Sequence, residues 1–260
     1  MSFADKIKAA AFSIFLLGFF EALSFKQQFF WAIIIPLSLA FLLAFVWILG
    51  PDIVKRKRLK MKKAILPVFL IFGAIFFLLF EPSFLLRQIV IILSISAFIL
   101  FFVIYRKIPL EKPNDSANKY VYDLLFFLLN LTAFLDYWVI HSIYFNFNIP
   151  LWFGMILVLI VSVGLFYYLF WSSGIYSDYI LTFTVLLGLV ILEVFVNLSF
   201  WPVDFSTKSI ILILVFYVFS GLLIIRAKKE LNFRNVFEYL IIFIAIFLII
   251  IFTMKWYTVF

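Results

Sequence analysis

Four ionisable residues interrupt long apolar stretches of this 260-residue chain: Glu21, Asp136, His141 and Glu193. In such surroundings carboxyl and imidazole groups carry protons, hold a polar ligand, or act as acid and base on a substrate. Spacing adds amides to the set. Asn197 follows Glu193 by four residues, so the two share one helical face and can meet each other or a common partner. Asp123, Asn130 and His141 are separated by 7 and 11 residues, offsets that return to nearly the same side of a helix. Asp136 falls on another side, about 140° from Asp123. A helix with two polar sides is a poor surface for lipid, which places this segment at the centre of its fold.

Glu21, Asn130, Asp136, His141, Glu193 and Asn197 therefore form the candidate buried polar site. Two uses of these groups stay open: hydrogen bonds that hold helices together, and a proton relay or polar ligand site. Glu21, Asp136, His141 and Glu193 also have the right ligand types for a metal, but four helices would have to converge on it, and no metal site is expected. The chain has no cysteine and a single histidine, which excludes disulfides, thiolate nucleophiles and Cys- or His-rich metal centres.

The elements that must position these groups are set by composition. Hydrophobic residues make up 67% of the chain, and the mean hydropathy is +1.24. A soluble domain is roughly 45–50% apolar, and a soluble chain this apolar would lack the polar residues to cover itself. Hydrocarbon of about 30 Å is crossed by about 20 helical residues. Nine runs of that kind are read at 9–25, 29–49, 64–80, 86–104, 120–144, 151–170, 179–198, 209–225 and 235–254. They are continuous rather than alternating, so an all-α polytopic bundle is expected and a β-barrel is not. The connections leave no room for a separate soluble domain. The main cytoplasmic loops are expected at 50–63, 105–119 and 226–234.

Charge gives the bundle a direction. With the N-terminus in the cytoplasm and the C-terminus outside, 17 of the 21 basic residues fall on the cytoplasmic side. That is the asymmetry expected of a protein of the cell membrane, and it accounts for the net charge of +8 without nucleic acid. Six of the seven tryptophans fall at run ends, where aromatic belts form; Trp138 lies deeper. In this frame the four ionisable residues share the outer half of the membrane. The basic run Lys55, Arg56, Lys57, Arg58, Lys60, Lys62 and Lys63 is expected to set topology and to contact anionic headgroups. The N-terminal stretch has a second reading. Lys6, Lys8, the apolar run from Ala9 to Phe20 and Ala22-Leu23-Ser24 have the order of a signal peptide, and cleavage there would leave eight helices.

Local signals mark several ends. Pro150 suits a helix start with Asn148 as cap, and Asp178 and Ser206 are cap types before the two following runs. Pro36 and Pro67 lie inside runs, where each removes a backbone donor and favours a kink. Gly154, Gly164 and Gly188 permit close helix contact without forming a GxxxG motif.

The segment from Glu193 to Asp204 reads EVFVNLSFWPVD. Through Glu193, Ser199, Phe200, Trp201 and Pro202 the last three runs resemble uncharacterised multi-pass bacterial membrane proteins, in which an acidic residue of a late helix precedes a Ser-Phe-Trp-Pro turn. The resemblance implies no known activity. Nucleotide-binding, zinc-protease and nucleophile-elbow motifs are absent, and no cofactor is expected. Three functions fit: a non-catalytic membrane subunit or scaffold with membrane-protein partners, ranked first; a small-solute or proton-coupled transporter component; and an enzyme acting on a lipid-linked substrate. The lack of extramembrane domains weighs against the enzyme, and the lack of matched broken helices weighs against a repeat-built transporter.

Overall fold

The computed structural model describes residues 18, 57–81, 83–107, 119–147, 149–173, 180–227 and 232–253. These form seven helices: α1 (Lys57–Phe80), α2 (Phe84–Lys107), α3 (Lys119–Phe147), α4 (Leu151–Ser172), α5 (Ile180–Ser199), α6 (Phe205–Ala227) and α7 (Phe233–Thr253). Each matches one of the seven later apolar runs. Helices α2 to α7 are long and apolar enough to cross a membrane, and α1 contributes the shorter apolar stretch Ile65–Phe80. Apart from Gly18, the runs at 9–25 and 29–49, with Glu21 and Pro36, lie outside the described residues, as do Asn148 and Asp178.

The helical bundle is thus as expected, while the described residues supply six full-length spans rather than nine. One boundary differs. The basic run, expected as loop, is helical from Lys57, so Lys57–Lys63 forms the first turns of α1. Lysine and arginine are good helix formers, and a positive-inside signal fixes the side of a charge without saying whether its backbone is coiled. Likewise α2 runs on to Lys107, and α1 passes through Pro67 as one helix.

Two compact units divide the chain, one ending at Lys107 and one starting at Ile108. In the first, α1 packs on α2. Their turn is tied by the Ser83 amide, which donates to Glu81 Oε1 at 3.1 Å, and by the Arg87 amide, which donates to the Ser83 carbonyl at 3.1 Å. In the second unit α3 packs on α4 and α6, α4 on α5, and α6 on both α5 and α7.

Small residues and aromatic rings set the spacing of the second unit. A Cβ placed on Gly188 of α5 would come within 2.7 Å of Val163 Cγ2, so α4 and α5 meet at a distance only glycine allows there. The core they help enclose is aromatic. Phe166 of α4 and Phe216 of α6 lie with ring centres 4.6 Å apart, and Phe216 also meets the edge of Tyr137 of α3. At the turn into α6 the cap is Asp204 rather than Ser206. Its Oδ2 accepts the Thr207 amide at 2.9 Å, a contact worth about 1 kcal/mol. Ser206 is free to serve Trp138, whose indole N–H donates to its hydroxyl at 3.3 Å. That bond gives the indole N–H a partner at the start of the α6 span, so the ring can be buried.

Candidate functional site: the polar centre of α3

Every residue of α3 from Leu135 to Ser142 is buried, on all faces of the helix. A helix covered all round contacts no lipid, and this stretch contains Asp136, Tyr137 and His141. Asp136 lies about 20 Å along the helix from Asp123 and about 16 Å from Phe147, so it stands near mid-span.

Three helices supply the polar contacts. The Tyr137 hydroxyl lies 2.9 Å from Ser162 Oγ of α4. His141 Nδ1 lies 2.9 Å from the Tyr137 carbonyl, one turn back on its own helix, and 3.2 Å from Ser209 Oγ of α6. Ser209 in turn donates to the Phe205 carbonyl at 2.8 Å. Since a carbonyl can only accept, Nδ1 carries the imidazole proton in the neutral ring, and Nε2 presents a lone pair. That Nε2 is buried without a hydrogen-bond partner, as are both carboxyl oxygens of Asp136. Phe195 of α5 closes over the imidazole, with ring centres 4.9 Å apart.

Helix α3 therefore carries three buried polar atoms without a hydrogen-bond partner on two of its sides, His141 Nε2 on one and the carboxyl oxygens of Asp136 about 140° away on another. Buried polar atoms are nearly always satisfied, so each of these two orphaned groups marks a place that a bound group could complete. A proton, a cation or a partner's N–H has the chemistry to do so. Next to Ser209, Lys208 of α6 donates to the Ser199 carbonyl at 3.3 Å and ties the ends of α5 and α6 together.

The remaining candidates are placed elsewhere. Glu193 and Asn197 are exposed on α5, and the Asn197 amide donates to the Glu193 backbone carbonyl at 2.9 Å rather than to its carboxyl group. The α5 residue that reaches His141 is Phe195, so Glu193 and His141 do not form one site. Asn130 lies about 16 Å along α3 from His141 and lines a separate groove with α6 and α7. Glu21 lies outside the described residues. Among the described residues no three carboxylate, histidine or cysteine side chains gather as metal ligands. Tyr137, Ser162 and Ser209 were not singled out from sequence. Single hydroxyls in apolar runs are common, and these contacts join residues 25 and 68 positions apart.

The model of a family described as a protein of unknown function, DUF5656, matches residues 7–253. The chain belongs to this family. The match reaches well beyond the last three helices and embraces the whole polar centre. Neither a curated protein nor a solved structure matches the chain. DUF5656 membership agrees with the resemblance to uncharacterised proteins and leaves the chemistry to be argued from the residues.

Proposed function

We propose that this DUF5656 protein is a nine-crossing subunit of the cell membrane, N-terminus inside and C-terminus outside, that works through helix contacts with membrane-protein partners. The observation that carries this reading is the exposed pair Glu193 and Asn197 on α5. Glu193 lies six residues, about 9 Å, inside the Ser199 end of its span, and exposed apolar side chains such as Leu186 and Leu189 precede it. A carboxyl group facing hydrocarbon costs up to about 2.5–3.5 kcal/mol on insertion scales. A partner helix that offers a donor removes that cost and gains specificity.

A photocrosslinking residue at position 189 tests this in the native membrane. The expected result is a discrete crosslinked polypeptide that disappears in Glu193→Leu, while the yield of the variant is kept or raised. Crosslinking only to lipid, or crosslinking unchanged by Glu193→Leu, overturns the reading. Reporter fusions after Asn118 and Asn232 should report cytoplasm and one after Phe147 the outside; the reverse pattern rejects the orientation.

The orphaned acceptors of α3 favour a second reading, a proton-coupled or small-solute transporter component. Asp136→Asn should then abolish pH-gradient-driven uptake in liposomes with folding intact, and uptake equal to wild type rejects it.

A further inference from the structure

A groove of about 360 Å³ opens along the second unit between α3, α6 and α7. Its floor is Leu214, which is buried, and its rim is Ile210, Ile242 and Ile246, each about 40% exposed. At one end the rings of Phe126, Tyr217 and Tyr239 follow one another with centres 5.5 Å apart. Tyr239 lies flat on α6 because position 221 is glycine; a Cβ there would overlap its ring.

Two polar side chains interrupt these apolar walls, Asn130 and Tyr217, and the Tyr217 hydroxyl pairs with that of Tyr239. Asn130 of α3 donates its Nδ2 to the Phe126 carbonyl at 2.8 Å, while its Oδ1 is buried and has no hydrogen-bond partner. Asn130 stands seven residues, about 10 Å, inside the Asp123 end of the span. At that depth water does not serve the carbonyl, and an alkyl chain alone leaves it unsatisfied. The size and lining are those of a small-molecule site: mostly apolar, with Asn130 Oδ1 as the unpaired acceptor to fix orientation. The mouth opens beside α7, whose membrane span is only 6% buried.

We infer that this groove binds a single long-chain lipid carrying a hydroxyl donor, its chain along Leu214 and the isoleucines and its hydroxyl on Asn130 Oδ1. The site is independent of the Glu193 contact and of the centre around Asp136. The occupant enters sideways from the bilayer, and Asn130 selects for the donor while the apolar walls hold the chain.

The test uses the full-length protein in phosphatidylcholine vesicles and two diazirine-bearing probes, a long-chain alcohol and its methyl ether. The alcohol is expected to label α6 or α7 peptides lining the groove about fivefold more than the ether, the ratio one neutral hydrogen bond supports. Asn130→Leu should equalise the two probes. Ile246→Trp, which fills the groove from an exposed position, should remove labelling by both. Equal labelling of wild type by alcohol and ether overturns the proposal without reference to any variant. So does labelling that survives Ile246→Trp, or a polypeptide captured from position 246 in native membranes.

Discussion

Helices α3 and α7 invert the rule of soluble proteins. The span of α3 has a mean hydropathy of 1.6 and is 67% buried; that of α7 has 2.8 and is 6% buried. In water the more apolar helix would be inside. In lipid nothing drives apolar helices together, and what buries a helix is packing plus the need to keep polar groups from hydrocarbon. The helix with Asn130, Asp136, Tyr137 and His141 is therefore central, and the helix of isoleucine and phenylalanine faces outward. The difference predicts where substitutions act.

The largest contrast is expected from truncation. Trp138→Ala removes a fully buried ring, its edge contact with Phe205 at 5.2 Å and its bond to Ser206. It should lower stability by about 3–5 kcal/mol. Ile249→Ala on α7, where the side chain is 61% exposed, should change stability by less than about 0.5 kcal/mol. Unfolding of both variants in mixed micelles checks the pair, and equal losses would break the comparison.

Asp136→Leu should act in the opposite direction. Its carboxyl oxygens have no hydrogen-bond partners, so replacing it with leucine removes a desolvation cost of up to about 2.5–3.5 kcal/mol. A rise in the unfolding midpoint together with loss of a transport or assembly phenotype marks Asp136 as a group kept for function at the expense of stability. A fall in stability instead shows that Asp136 holds the helices together.

The sequence made the α3–α7 contrast legible because it rests on composition. Seven helices, their approximate ends and the central place of α3 follow from run length and from two polar faces on one helix. The fate of Glu193 and Asn197 does not. Spacing of four residues shows that they share a face, but not which way that face looks; in the fold Gly188 packs on Val163, and Phe195, seven residues on and on the same side of α5, meets His141. The helical start of α1 within the basic run escapes the sequence for a similar reason, since hydropathy separates lipid from water and not coil from helix. Ser162 and Ser209 became visible only when the fold joined distant segments.

Gly188→Leu tests that seating of α5. The added side chain meets Val163, and either α4 and α5 separate or both repack, at about 1–3 kcal/mol. The informative readout is beyond stability. If the seating of α5 keeps Phe195 against the imidazole, Gly188→Leu should shift the His141 ring proton resonances in selectively labelled protein. An unchanged spectrum would detach the polar centre from the α4–α5 contact.

The smallest effect is the most specific. Tyr137→Phe keeps the ring against Phe216 and removes only the hydroxyl that meets Ser162 across 2.9 Å. Interhelical hydrogen bonds in membrane proteins average about 0.6 kcal/mol, so this variant should remain folded and nearly as stable as wild type. Ser162→Ala removes the other partner, and the double variant should cost no more than the larger single loss if the two hydroxyls serve only each other. A double variant whose losses simply add means that the two hydroxyls do not couple and that each loss comes from a further partner. Tyr137 shares a helical turn with Asp136 and offers its carbonyl to His141, so such a partner would connect the Ser162 contact to the orphaned acceptors of α3.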